Sequence, residues 1–136
     1  MNLLRLFDKN EKILLGSLAF VQFSHIIDFI IIMPLGPQLM KIFNITPHQF
    51  GLLVSIYTLF AAVSGFLASF IMDRFDRKKT LQFFFLGFTV STIACGFADS
   101  YWVLSLFRAV AGFFGGVLNS VIYAIVSDKI EYSRRG

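Results

Sequence analysis

Four long apolar stretches, at about Ile13–Met33, Phe50–Met72, Leu81–Phe97 and Tyr101–Val126, take up most of this chain of 136 residues. Crossing the hydrocarbon core of a bilayer as helix takes roughly 20 mostly apolar residues, within a range of about 17–25, and all four stretches qualify. A water-soluble domain of this size cannot hide so much apolar surface: 57% of the residues are hydrophobic and 15% charged, against about 25% charged in ordinary globular chains. The sequence therefore predicts an all-α integral membrane protein with four transmembrane helices, whose first partner is the lipid bilayer. The net charge of +4 does not mark a nucleic-acid partner, because the basic residues fall in short clusters between the apolar stretches and form no continuous face. Cys95 is the sole cysteine. It has no intramolecular disulfide partner and reads as a small buried hydrophobe.

The connections are short and their punctuation is legible. The first span follows a basic head containing Arg5, Lys9 and Lys12, but it is too long for a secretory signal and has no small-residue cleavage site. Pro34, Gly36 and Pro37 are expected to end the first helix. Thr46, Pro47 and Gln49 supply N-cap, first-turn proline and capping-box partner for the second, with His48 as a solvated cap residue. Asp99 and Ser100 offer the cap of the fourth. Arg74, Arg77, Lys78 and Lys79 fill the loop between spans two and three, and Lys129, Arg134 and Arg135 the tail, whereas the other two loops hold Lys41 alone. Since cytoplasmic loops retain Lys and Arg, both termini are expected to be cytoplasmic, with the basic loops against anionic headgroups.

At 100° per residue the polar side chains of the first span, Ser17, Gln22, Ser24, His25 and Asp28, share an arc of about 160°. On the fourth, Tyr101, Ser105, Arg108, Gly112, Gly115, Gly116, Asn119 and Tyr123 share about 100°. The second carries a stripe of small residues that includes Ala61, Gly65 and Ser69 at four-residue spacing, which favours close helix packing, as do Gly112 and Gly116. The third, rich in Phe, is expected to face lipid as scaffold.

Ionisable groups inside a membrane are the informative exceptions, because each costs some 2.5 to 3.5 kcal/mol on insertion scales. Asp28 and Arg108 are the two. With the helix ends expected above, both lie roughly 8 to 11 Å from the outer surface and are within reach of each other. Two readings stand: a neutralising ion pair that permits insertion, or a transport site. His25, one turn from Asp28, is either a lone hydrogen-bonded histidine or a proton relay.

The segment Ser69, Asp73, Arg74, Asp76, Arg77, Lys78 resembles the signature loop of the major facilitator superfamily, Gly-x-x-x-Asp-[Arg/Lys]-x-Gly-Arg-[Arg/Lys], with Ser69 and Asp76 in place of its two glycines. Arg108 with Gly112, Gly115 and Gly116 is similar to the family's fourth-helix motif, and Asp28 before Met33-Pro34-Leu35 to the first-helix motif of its drug and sugar efflux branch. The resemblance implies helices 1 to 4 of a twelve-helix fold, each six-helix half built from inverted repeats, with the chain stopping short of a fifth helix near Ser133–Gly136. It implies a proton-coupled antiporter exporting small molecules by alternating access, in a plasma membrane such as the bacterial inner membrane. The partners are then substrate, protons and the remaining helices. Asp28, His25, Arg108, Gln22, Asn119 and Tyr123 become the proton-coupling and cavity residues; Asp73, Arg74, Arg77 and Lys78 form the cytoplasmic loop; Gly65, Gly112, Gly115 and Gly116 pack helices. No enzyme chemistry, metal or cofactor is expected, since nucleophile, ligand-cluster and phosphate-loop motifs are missing from the sequence. The competing reading is a complete four-helix membrane protein, a small dimeric multidrug exporter or a non-transporting scaffold subunit.

Overall fold

The computed structural model describes residues 8–134, with side chains as far as Lys129. Arg5, Arg135 and Gly136, and the side chains of Ser133 and Arg134, lie outside the described residues. The chain forms four helices, α1 (Lys9–Phe43), α2 (Pro47–Ile71), α3 (Arg77–Cys95) and α4 (Tyr101–Arg134), with a single 3-10 turn at Met72–Arg74 after α2. Among the described residues α1, α2 and α4 are long and apolar enough to cross a membrane. The third helix falls short of the expectation of four such spans, because its 19 residues begin with Arg77, Lys78 and Lys79. It nevertheless runs antiparallel along α4, from Arg77 beside Ala124 to Gly87 beside Phe114.

The first helix departs from expectation at both ends. Asp8 caps it, accepting from Lys9 N–H, while the Glu11 carboxylate accepts from Asp8 N–H, so Lys9 and Lys12 of the basic head are already helical. Pro34 and Pro37 do not end it; they lie inside a helix of 35 residues, which stops at Asn44 in the left-handed region (φ 54°). Each proline removes one N–H and so frees a carbonyl four residues earlier, a loss that membrane helices tolerate when neighbours cover it. Continuity is favoured by packing: Ile32 clusters with Leu53 and Leu104, and Leu39 and Phe43 lie against the same cluster. A Cβ on Gly36 would come within 2.9 Å of the Phe50 ring.

The start of α2 follows the sequence closely, with Thr46 and Gln49 forming the capping box and Pro47 in the first turn. Ser100 accepts from Val103 N–H at the start of α4. That helix continues two turns past Val126, to Arg134. Asp76, which replaces a glycine of the signature loop, has φ −64° and caps α3 by accepting from Lys78 N–H. No glycine conformation is needed there.

The central element is α4, with α2 along one side and α3 along the other. Its glycines set the α2 distance. A Cβ on Gly112 would overlap the Tyr57 carbonyl, and one on Gly116 would overlap the Ala61 carbonyl and Ser64 hydroxyl. Opposite Gly116 lies Gly65, whose carbonyl accepts from Ser120 Oγ at 3.0 Å. Ser69, the third rung of the small ladder, is exposed and bonds within its own helix. On the other side Phe88 of α3 joins Leu18, Val21, Leu118 and Ile122 in one buried cluster, so the third helix carries a packed face as well as an exposed one.

Candidate functional site

The inward face of α1 is a stripe at three- and four-residue steps: Leu18, Val21, His25, Asp28, Ile32 and Gly36 are all buried. That spacing keeps one seam against neighbouring helices. It brings His25 and Asp28 to the middle of the bundle, opposite Arg108 of α4. Because α1 runs on to Phe43, Asp28 stands 15 residues, about 22 Å, from the helix end, well over the depth expected from a helix ending at the prolines. Arg108 is about 10 Å from the start of α4, and the two meet because the last turns of α1 continue beside Phe50 and Tyr101.

Arg108 donates from Nη1 to Asp28 Oδ2 at 2.9 Å and from Nη2 to the Asp28 backbone carbonyl at 3.3 Å. The two side chains are only 5% and 8% exposed. At this burial the pair matters less for its net stability than for what breaking it leaves behind, an uncompensated charge costing about 3–5 kcal/mol.

A third helix completes the cluster. The Tyr57 ring of α2 lies 5.0 Å from the Arg108 guanidinium carbon, within cation–π range. Its hydroxyl is 3.0 Å from His25 Nε2, and which of the two donates depends on the histidine tautomer. The His25 ring is flanked by Phe88 at 5.4 Å and fits over Gly115, where any Cβ would overlap Nε2. Asp28, Arg108, Tyr57 and His25 thus form one buried cluster drawn from α1, α2 and α4, within apolar surroundings. It holds a carboxylate paired to one cation, and an imidazole bonded to the hydroxyl of the ring that the cation lies over.

Tyr57 is not among the residues expected from sequence, where the second span reads only as a packing stripe. Its signal is positional: Leu53, Tyr57, Ser64 and Ala68, the buried residues of α2, share one seam. Of the other expected cavity residues, Gln22 is half-buried, and Asn119 is half-buried with an Oδ1 that has no partner among the described residues. Tyr123 lies apart, 70% exposed. No group of three His, Cys, Asp or Glu side chains among the described residues is placed to hold a metal.

A second charged cluster closes the α2–α3 end of the bundle. Arg77 bonds to the Asp128 carboxylate and, at 2.9 Å, to the Ala124 carbonyl of α4. Asp73 is 3.8 Å from Arg77 but 86% exposed, although no helix joins the two. Asp128, 51 residues from Arg77, is a partner that local spacing does not reveal. Arg74 and Lys78 are exposed.

Residues 18–136 match the family model of the Major Facilitator Superfamily. Over 107 residues the chain is 35% identical to the uncharacterized MFS-type transporter YceJ of Bacillus subtilis, covering 79% of this chain and 27% of that protein. It is 29% identical to the multidrug resistance protein MdtG of a Rahnella strain, covering 79% and 27%. It is 30% identical to a probable 4-methylmuconolactone transporter of Cupriavidus pinatubonensis, covering 74% and 23%. The chain thus spans about a quarter of the length of these relatives. No solved structure matches it.

Proposed function

Given that the chain belongs to the major facilitator superfamily and is part of a multi-pass membrane protein, we propose that it is the N-terminal part of a proton-coupled secondary transporter. On this reading the whole protein has twelve helices, lies in a plasma membrane and exports small organic molecules by alternating access, without covalent chemistry. The observation that carries the reading is the buried cluster of Asp28, Arg108, Tyr57 and His25. A charged pair that deep in a membrane is costly to keep, and here its carboxylate is held by one cation whose position depends on how α1, α2 and α4 pack. In the arrangement described here Arg108 holds the Asp28 carboxylate; rocking of the helices that draws Arg108 away leaves that carboxylate without its partner and open to exchange with the cavity. Alternation between the two arrangements loads and releases one proton, which is what coupling to a gradient requires. His25 and Tyr57, hydrogen-bonded to each other beside the pair, complete the polar cluster whose arrangement that movement changes.

Export is supported by the likeness to a multidrug resistance protein. The relatives are named for different substrates, and what those substrates share is a chemical class, the small organic molecule. The test uses the full-length protein in everted vesicles with an imposed pH gradient and a panel of small organic compounds that includes ethidium. Wild type is expected to move at least one of them, and Asp28→Asn to abolish gradient-driven movement while inserting at normal levels. Undiminished gradient-driven flux in Asp28→Asn refutes the assignment.

A further inference from the structure

Between α2 and α3, over the outward side of α4, lies a groove of about 490 Å³ that the transport reading does not use. Its walls are apolar: Leu67, Ile71 and Phe75 on one side, Phe83 and Phe84 on the other, Val117 as the floor. Ser64 and Phe113 stand at its inner end. Lys79 and Thr80 stand at its mouth, in the first turn of α3. Leu67, Ile71 and Phe83 are 49%, 48% and 65% exposed, so among the described residues the groove opens sideways, away from α4.

Three features select an occupant. The first is depth: along α2 the groove runs from Ser64 to Met72, about 12 Å, close to the roughly 15 Å of one leaflet, half of the hydrocarbon core. The second is polarity, which changes once, from an apolar trough to a single cation at the end where the basic loop meets water. The third is charge. Asp73 pairs with Arg77, and Asp76 is occupied as the α3 cap, whereas among the described residues Lys79 and Arg74 form no ion pair. A leaflet-deep apolar groove ending at an uncommitted ammonium is complementary to one acyl chain with a phosphate at its head.

We propose that this groove is a binding site for an anionic phospholipid of the leaflet on the side of the basic loop, one acyl chain lying between α2 and α3 and the phosphate on Lys79. The site is distinct from the buried Asp28 cluster and does not depend on proton coupling. A lipid seated there bridges the two helices that flank α4 and steadies the turn carrying Asp73 and Arg74.

The experiment is native mass spectrometry of the purified full-length protein titrated with phosphatidylglycerol or phosphatidylcholine. Wild type is expected to retain one phosphatidylglycerol more tightly than phosphatidylcholine. Lys79→Gln, on an exposed side chain, is expected to weaken that first phosphatidylglycerol about fivefold, the effect of one basic side chain at an anionic surface, and to leave phosphatidylcholine unchanged. Ala68→Leu, which narrows the trough, is expected to weaken both lipids. A benzophenone amino acid in place of Phe83 is expected to crosslink to lipid in membranes. Phosphatidylglycerol retention by Lys79→Gln equal to wild type overturns the proposal, and so does a Phe83 crosslink to another segment of the chain or to a second copy.

Discussion

Replacing Gly112 by alanine tests whether α2 and α4 touch backbone to backbone. The added methyl would overlap the Tyr57 carbonyl, and at Gly116 the Ala61 carbonyl and Ser64 hydroxyl. A flexible side chain in that place would swing aside; a helix carbonyl has nowhere to go, so the helices must separate. Overpacking by one methyl group typically costs about 1–3 kcal/mol, and a backbone clash belongs at the upper end. Separation also weakens the Ser120–Gly65 hydrogen bond, about 0.6 kcal/mol for an average bond between membrane helices, and the Arg108–Tyr57 contact, about 0.5–2 kcal/mol. Alanine's helix preference offsets about 1 kcal/mol of this, so the expected loss for Gly112→Ala or Gly116→Ala is about 3–5 kcal/mol. Gly16 and Gly51 are internal controls, since among the described residues a Cβ there meets nothing within 4 Å, and alanine in a helix interior is favoured over glycine by about 1 kcal/mol. Thermal unfolding of the full-length protein in detergent should show Gly112→Ala and Gly116→Ala melting well below wild type, and Gly16→Ala and Gly51→Ala at or above it. Equal melting of the Gly112 and Gly51 variants would refute backbone-tight packing.

Tyr57→Phe keeps the ring over Arg108 and removes the hydroxyl from His25; it is expected to fold normally and to slow gradient-driven transport, while Tyr57→Leu, which also loses the cation–π contact, should melt lower as well. Asp128→Asn leaves Arg77 with the Ala124 carbonyl and the exposed Asp73, so stability should fall by no more than about 1 kcal/mol, read by thermal unfolding. If the signature loop holds the cytoplasmic ends of the two halves together through Asp73, Asp73→Asn in the full-length protein shifts the population toward inward-facing, seen as longer distances between spin labels on those ends; a distribution that overlays wild type leaves the loop as a topology signal only.

What the sequence makes legible is what depends on local chemistry. Apolar length marks the helices, Thr46-Pro47-x-Gln49 marks where α2 begins, and the wheel of α4 puts Arg108 and its glycines on one face. The failures are non-local. Pro34 and Pro37 read as a stop because helices in water usually break at proline, yet Ile32, Gly36, Leu39 and Phe43 continue one packed seam past them, and that packing decides. Tyr57 passes as one more aromatic until α1 and α4 arrive on either side of it. Arg77 has an obvious neighbour in Asp73 and a better-placed one in Asp128, on a helix that only the assembled bundle brings near. The length of α3 illustrates the converse: the basic first turn that carries the expected orientation also removes apolar residues that a span needs.

Whether Asp28 carries protons or merely neutralises Arg108 is decided most directly by the double variant Asp28→Asn/Arg108→Gln of the full-length protein, assayed in vesicles with a compound that wild type moves under a pH gradient. Both charges are then gone, so insertion and packing incur no unpaired-charge penalty. If Asp28 is the proton carrier, the double variant inserts normally and exchanges the compound across the membrane at equilibrium, yet fails to accumulate it against its gradient when a pH difference is imposed. Restoration of gradient-driven accumulation to the wild-type level would contradict that role, because a pair whose removal leaves coupling intact serves insertion alone.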